Sequence, residues 1–192
     1  MRPSLVILIV ALAGLFGGGV SAWYAIRHAE GFGAIKIGPW TAVPFASAED
    51  VDPYVVAKSV VEGSVPLGIT EGLAFSAYSD SEGSVLSLTC DYDISGNTPA
   101  AKLWTLVVYN ASDKPVESEP GDVSATYSGA VVRFGDGSYR ISLSRHAKPG
   151  NWLAVSGSGD FHLTLRLYDA SISGNSQLDT LRMPTITRRE CL

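Results

Sequence analysis

The chain has 192 residues, of which 46% are hydrophobic, with two cysteines and a formal net charge of −5. Once an apolar N-terminal segment is set aside, that length suits one domain able to bury a full core without metals or many disulfides. A mildly acidic chain with dispersed Lys and Arg argues against nucleic acid as a partner and against adhesion to anionic lipid through charge.

Leu5 to Ile26 carries no charged side chain and only Ser21 as a polar one. It meets the roughly 20 apolar residues that a membrane span requires. Arg2 precedes the run, Arg27 and His28 follow it, and Trp23 and Tyr24 suit a membrane–water interface. Residues 1–30 therefore read as a membrane anchor. The competing reading is a cleaved signal peptide, with Val20-Ser21-Ala22 as the small-residue site. Residues 31–192 read as the folded domain.

Gly31 to Pro44 has the character of an extended connector containing Trp40. In the segment from Asp50 to Gly63, Asp52 is a natural N-cap, Pro53 suits the first helical position and Gly63 a terminator. Tyr54, Ala57, Val60 and Val61 recur at helical spacing, which predicts a short amphipathic helix. Its valines lower its intrinsic propensity, so it needs a surface to pack on.

The period then changes to two. Leu73, Phe75 and Ala77 alternate with smaller or polar residues, and Asp80-Ser81-Glu82-Gly83 makes a turn. Leu86, Leu88 and Cys90 predict a strand with Cys90 on its core side, ended by Asn97-Thr98-Pro99. Leu103 to Tyr109 predicts another, with Trp104, Leu106 and Val108 on one face, followed by a turn at Ser112 to Pro115 and a polar loop at Glu117 to Gly121. Ala130, Val132 and Phe134 predict a strand joined through Asp136-Gly137, a two-residue hairpin signal, to Tyr139, Ile141 and Leu143. The clearest strand is Phe161 to Tyr168. Phe161, Leu163, Leu165 and Leu167 face one way, and His162, Thr164, Arg166 and Tyr168 the other. Ser171 to Gln177 is loop-like, and Leu181 to Ile186 suits an edge segment where Pro184 is tolerated. The pattern is all-β: an antiparallel jelly-roll-like β-sandwich with one short N-terminal helix, behind a single transmembrane helix.

The cysteines are Cys90 and Cys191. A pair in an exported chain allows one intramolecular connectivity, and an oxidising compartment would let it form. It would close a loop of about 100 residues, worth up to roughly 4–5 kcal/mol in the chain-entropy model, and would pin a C-terminal tail. The alternative is a buried free thiol at Cys90 and an incidental Cys191. If the disulfide forms, the domain lies outside the cytoplasm.

Several landmarks together resemble a known family. They are Gly38-Pro39-Trp40, Asp52-Pro53-Tyr54, Glu71-Gly72-Leu73-Ala74-Phe75, Cys90-Asp91-Tyr92, Trp104-Thr105-Leu106, Asp136-Gly137-Ser138, Pro149-Gly150-Asn151-Trp152-Leu153 and Leu165-Arg166-Leu167-Tyr168. They resemble the bacterial DUF-1214 domain, and more closely its short, membrane-anchored, stand-alone version. The Pro-Gly-Asn-Trp turn before Leu-Arg-Leu-Tyr is the most specific part. The resemblance implies a β-sandwich of jelly-roll type, often beside a second domain of unknown function that is not expected in this chain. It implies no established activity and no catalytic residue.

No chemistry-bearing motif stands out. His28, His146 and His162 form no two-histidine ligand spacing, so no metal is expected. There is no G-x-S-x-G elbow, and Gly157-Ser158-Gly159 reads as a loop; a triad of scattered Ser, His and Asp would have to be assembled by the fold. The carboxylate pairs Asp50/Asp52, Asp80/Glu82 and Asp91/Asp93 read as turn or cap formers, with a loose calcium site as the sharper alternative. No dinucleotide or phosphate-loop motif is present, so no cofactor is expected. Asn110-Ala111-Ser112 is formally a glycosylation sequon. The outward row of His162, Thr164, Arg166 and Tyr168, joined by Trp152 or Trp104, is the best surface for a ligand. Its plainer reading is a solvated sheet face with both tryptophans in the core and Arg166 paired to a neighbouring carboxylate. The expectation is a non-enzymatic envelope protein: an inner-membrane, single-pass anchor presenting one β-sandwich to the periplasm for binding or scaffolding, with an envelope protein or glycan as partner. The alternative is a hydrolase acting on an envelope glycan or lipid.

Overall fold

The computed structural model describes residues 3–28, 34–42, 53, 57, 60, 72–119, 122–170 and 181–191. The apolar N-terminal run forms one helix, α1 (Pro3–His28). Its stretch Pro3–Ile26 is long and apolar enough to cross a membrane. Twenty-four residues at 1.5 Å each extend about 36 Å, somewhat more than the ~30 Å hydrocarbon core. Of the amphipathic helix expected beyond Asp52, Pro53, Ala57 and Val60 are helical, and Val60 is exposed. The rest of that segment lies outside the described residues, as do Asp50/Asp52 and Ser171 to Gln177.

The strands are β1 (Ile35–Ile37), β2 (Trp40–Ala42), β3 (Gly72–Ala77), β4 (Cys90–Gly96), β5 (Ala101–Asn110), β6 (Glu117–Glu119), β7 (Asp122–Val123), β8 (Ala125–Tyr127), β9 (Tyr139–Ser144), β10 (Asn151–Ala154), β11 (Phe161–Ala170) and β12 (Thr185–Cys191). Among the described residues six form one sheet in the order β1-β2-β3-β11-β5-β8, and four another in the order β10-β9-β4-β12, while β6 and β7 pair separately. The strand with the cleanest alternation, β11, lies between β3 and β5. Leu165 is paired with Phe75 on one side and Leu106 on the other.

The two sheets share one core. Phe161, Leu163, Leu165 and Leu167 of β11 are each 3% exposed or less, as alternation requires of a half-buried strand. Aromatic pairs cross between the sheets. Tyr92 of β4 meets Phe161 edge-on at 5.5 Å, and Trp104 of β5 stacks on Tyr139 of β9 at 5.2 Å, both within the range of favourable ring pairs. Burial pushes the Tyr139 phenol well above its ordinary value, opposed weakly by Arg133. Trp40 is fully buried and donates its indole N–H to Pro184 O at 2.7 Å, which ties β2 to the entry of β12.

Six expectations are corrected. The connector around Trp40 holds the β1–β2 hairpin of the six-stranded sheet, and the edge segment expected from Leu181 begins only at Thr185, after Pro184, and runs to Cys191. The Leu86–Cys90 run is not a strand, although Leu86, Leu88 and Cys90 are buried; the strand begins at Cys90 and continues through Tyr92 and Ile94. Part of the polar loop after Glu117 is the short β6–β7 pair. Ala130 to Phe134 is a loop with Val132 and Phe134 exposed. Its backbone is satisfied by a side chain, because Asn151 Oδ1 accepts from Val132 N and Asn151 Nδ2 donates to Val132 O. The Asp136-Gly137 turn still forms, closed by Phe134 N to Ser138 O at 2.8 Å. Finally, the sheets are mostly but not wholly antiparallel, since β10 runs parallel to β9. Residues 145–150 make that return, far fewer than the dozen or so usual between parallel strands.

Cys90 and Cys191 form a disulfide. It closes the end of β12 against the start of β4, where Cys191 stands opposite Cys90.

Candidate functional site

The register of the four-stranded sheet collects charge on its outer face. The inward residues of β4 are Cys90, Tyr92 and Ile94, so Asp91 and Asp93 point outward. Ser142 of β9 lies opposite Asp93 and donates to Asp93 Oδ1 at 2.9 Å. On the other side, β12 follows β4 in register from Thr185 to Arg188 and then shifts before Cys191. This bulge sets Arg189 and Glu190 against the single residue Asp91. Bulges of this kind re-aim side chains at sheet edges.

The result is a cleft of about 630 Å³, with Asp91, Asp93, Arg140, Ser142, Lys148 and Glu190 in its walls. Two ion pairs cross it. Lys148 Nζ lies 3.1 Å from Asp91 Oδ2, and Arg189 holds Asp93 Oδ2 through both Nε at 3.0 Å and Nη2 at 2.9 Å. Arg188 also borders the cleft, but its guanidinium is held by other partners. Its Nε lies 3.2 Å from Oδ2 of the buried Asp80, its Nη2 donates to Val85 O, and its guanidinium packs over the Tyr92 ring. Asp80 also accepts from the backbone N–H groups of Glu82 and Ser84, so the expected turn former also carries a half-buried ion pair.

The structure separates the four side chains expected to bind ligand. His162, Arg166 and Tyr168 share one face of β11, but His162 and Thr164 are buried rather than solvated. The His162 ring stacks on Tyr78 at 4.8 Å and on its cross-strand neighbour Tyr109 at 5.4 Å. Its Nε2 lies 3.6 Å from Asp113 Oδ1. Burial holds the imidazole below its ordinary pKa against the pull of Asp113, and Arg166 lowers it further. Among the described residues Arg166 pairs with no carboxylate; Nη1 donates to Tyr109 Oη at 3.1 Å and the guanidinium lies over that ring. Trp152 belongs to the other sheet, opposite Ser142 on β10, and is 40% exposed. Its indole N–H is shared between Ser144 O at 3.2 Å and Ser144 Oγ at 3.1 Å, at the cleft wall. Trp104 is in the core, and its indole N–H has no partner among the described residues.

Arg140, Lys148, Arg189 and Glu190 were missed as site residues because they come from separate segments that only pairing brings together. Asp91/Asp93 was the one visible signal, at the period of two that turns both carboxylates to one face. Asn151 of the Pro-Gly-Asn-Trp turn is a latch: it also donates to Arg140 O at 2.8 Å, joining the loop before β9 to the sheet. The Asn110 amide oxygen of the sequon is taken up by Ser112 N and Lys114 N. Among the described residues no three His, Cys, Asp or Glu side chains are grouped to hold a metal ion.

A mostly antiparallel two-sheet domain behind an apolar helix, with a charged cleft on one sheet, defines the class of protein. The chain belongs to DUF1214, a family described as protein of unknown function, whose model matches residues 71–172. No curated protein matches the chain significantly. Among solved structures, the VPA0106 protein from Vibrio parahaemolyticus is similar with a TM-score of 0.61 at 18% identity, covering 99% of this chain and 46% of that one. An uncharacterised protein from Burkholderia cenocepacia has a TM-score of 0.44 at 14% identity, covering 94% of this chain and 51% of that one. The chain thus spans about half the length of each. The likeness to the Vibrio protein is one of fold.

Proposed function

We propose that this is a single-pass inner-membrane protein whose jelly-roll-like β-sandwich lies in the periplasm and binds or scaffolds an envelope glycan or protein through the cleft of the four-stranded sheet. The observation that carries the reading is the cleft, where an ordered set of opposed charges stands around a concave space beside a half-exposed tryptophan. Sites for small ligands are concave with a few well-placed polar groups. Support for the location comes from α1, which is long enough to span, and from the Cys90–Cys191 bond, which persists in oxidising compartments. Trp152 joins the cleft as a contact residue. Arg166 and Tyr168, on the outer face of the other sheet, would serve a separate contact, with His162 packed behind them.

Two measurements test this. A reporter fused after Leu192 is expected to be active only outside the cytoplasm. Immobilised full-length protein is expected to retain an envelope glycan or protein, identified by mass spectrometry, and to lose it on Ser142→Trp, which fills the cleft floor. Cytoplasmic reporter activity, or retention indifferent to Ser142→Trp, refutes the reading.

A further inference from the structure

We propose that the cleft takes an extended zwitterionic ligand of the oligopeptide class, its carboxylate end at Arg140 and its ammonium end at Glu190. This rests on the cleft being the binding site.

The cleft's charges fall into two groups. Lys148 with Asp91 and Arg189 with Asp93 neutralise each other across it, and Arg188 is committed to Asp80 and Tyr92. Arg140 and Glu190 remain. Both are exposed in the cleft wall, and among the described residues neither side chain has an ion-pair or hydrogen-bond partner. Pairing fixes their separation. Arg140 stands opposite Ser95 at one end of β4, whereas the bulge holds Glu190 beside Asp91 near the other end. Four residues of strand at about 3.3 Å each, and two strand spacings of about 4.8 Å, set the two backbone positions roughly 13 Å apart along β4 and about 16 Å apart in all, a gap that the long Arg140 and Glu190 side chains can shorten by leaning inward.

A compact anion would answer Arg140 alone, and a compact cation Glu190 alone. A polyanion has nothing to offer Glu190. An extended peptide of four residues with free ends covers a comparable span and brings one charge of each sign to the right place. Between the ends, Ser142 and the two paired carboxylates present polar atoms to its backbone. The internal ion pairs hold those carboxylates in place before a ligand arrives, so little ordering remains to be done on binding.

The test is calorimetric titration of full-length protein in detergent micelles at low ionic strength with tetra-alanine, N-acetyl-tetra-alanine and tetra-alanine amide. Tetra-alanine should bind, and blocking either end should weaken it about fivefold, the upper range for an ion pair open to water. Arg140→Gln should abolish the penalty for amidation while leaving that for acetylation. Glu190→Gln should do the reverse. Both residues are exposed, so the fold should tolerate either change. No binding of tetra-alanine, blocked peptides that bind as tightly as tetra-alanine itself, or penalties indifferent to the two substitutions would each overturn the proposal. If tetra-alanine fails but envelope material is still lost on Ser142→Trp, the peptide assignment is wrong and the cleft reading stands. If retention ignores Ser142→Trp, the cleft reading itself has failed.

Discussion

Replacing both Cys90 and Cys191 by Ser removes the covalent tie between two residues 101 apart in sequence. In the chain-entropy model a loop of about 100 residues gives about 4.7 kcal/mol, by restricting the unfolded chain rather than by adding contacts to the folded one. The folded state should therefore change little. Ile186 remains buried, and β12 keeps its pairing with β4 from Thr185 to Arg188. Urea unfolding of the full-length protein in micelles, followed by tryptophan fluorescence, compares the oxidised protein with the double variant. With a slope near 2 kcal/mol per molar urea, the midpoint should fall by about 2 M. A fall under about 0.5 M would refute the reasoning, because the unfolded ensemble would then already hold the ends together. Two free thiols in protein isolated from its native host, alkylated at lysis, would refute the bond itself.

Three further outcomes follow from the packing. A Cβ at Gly72 would overlap the backbone oxygen of Leu167, so Gly72→Ala should force β3 off β11 and cost about 1–3 kcal/mol in urea melts. Asp80→Ala removes the buried partner of Arg188 and the acceptor for Glu82 and Ser84 N–H. With Arg188 a third exposed, it should cost about 2–3 kcal/mol, and Asp80→Asn, which keeps an acceptor, should cost less. Because His162 is held below its ordinary pKa in the folded state, the unfolded chain takes up the proton first as pH falls. Its contribution is complete above about pH 6.5, declines as pH falls below that, and levels off beneath the folded value. Urea midpoints between about pH 5 and 8 should show this slope, and His162→Gln should flatten it.

What could be seen in the sequence was the apolar stripe of each inner strand. Leu73 to Ala77, Trp104 to Val108, Tyr139 to Leu143 and Phe161 to Leu167 each announce a buried face, and two cysteines behind an export-type segment anticipate the Cys90–Cys191 bond. What failed did so where tertiary contacts override local pattern. Ala130 to Phe134 alternates like a strand, yet the Asn151 side chain takes the place of a partner strand there. Conversely, the alternation continues from Cys90 through Tyr92 to Ile94, but the intervening aspartates look like a turn until Ser142 and Arg189 are set beside Asp93. His162 looked solvated because its own strand says nothing of Tyr78 and Tyr109, which close over its ring. The cleft was hidden for the same reason, since its walls meet only through register.

The position of β12 also governs when the domain can be completed. Its partner β4 leaves the ribosome about 90 residues earlier, which at roughly 5–20 residues per second means some 5–20 s during which the outer side of β4 stays unpaired. An open strand edge is a template for neighbouring chains. Charged side chains such as Asp91 and Asp93 beside that edge are of the kind that discourages such pairing through the interval.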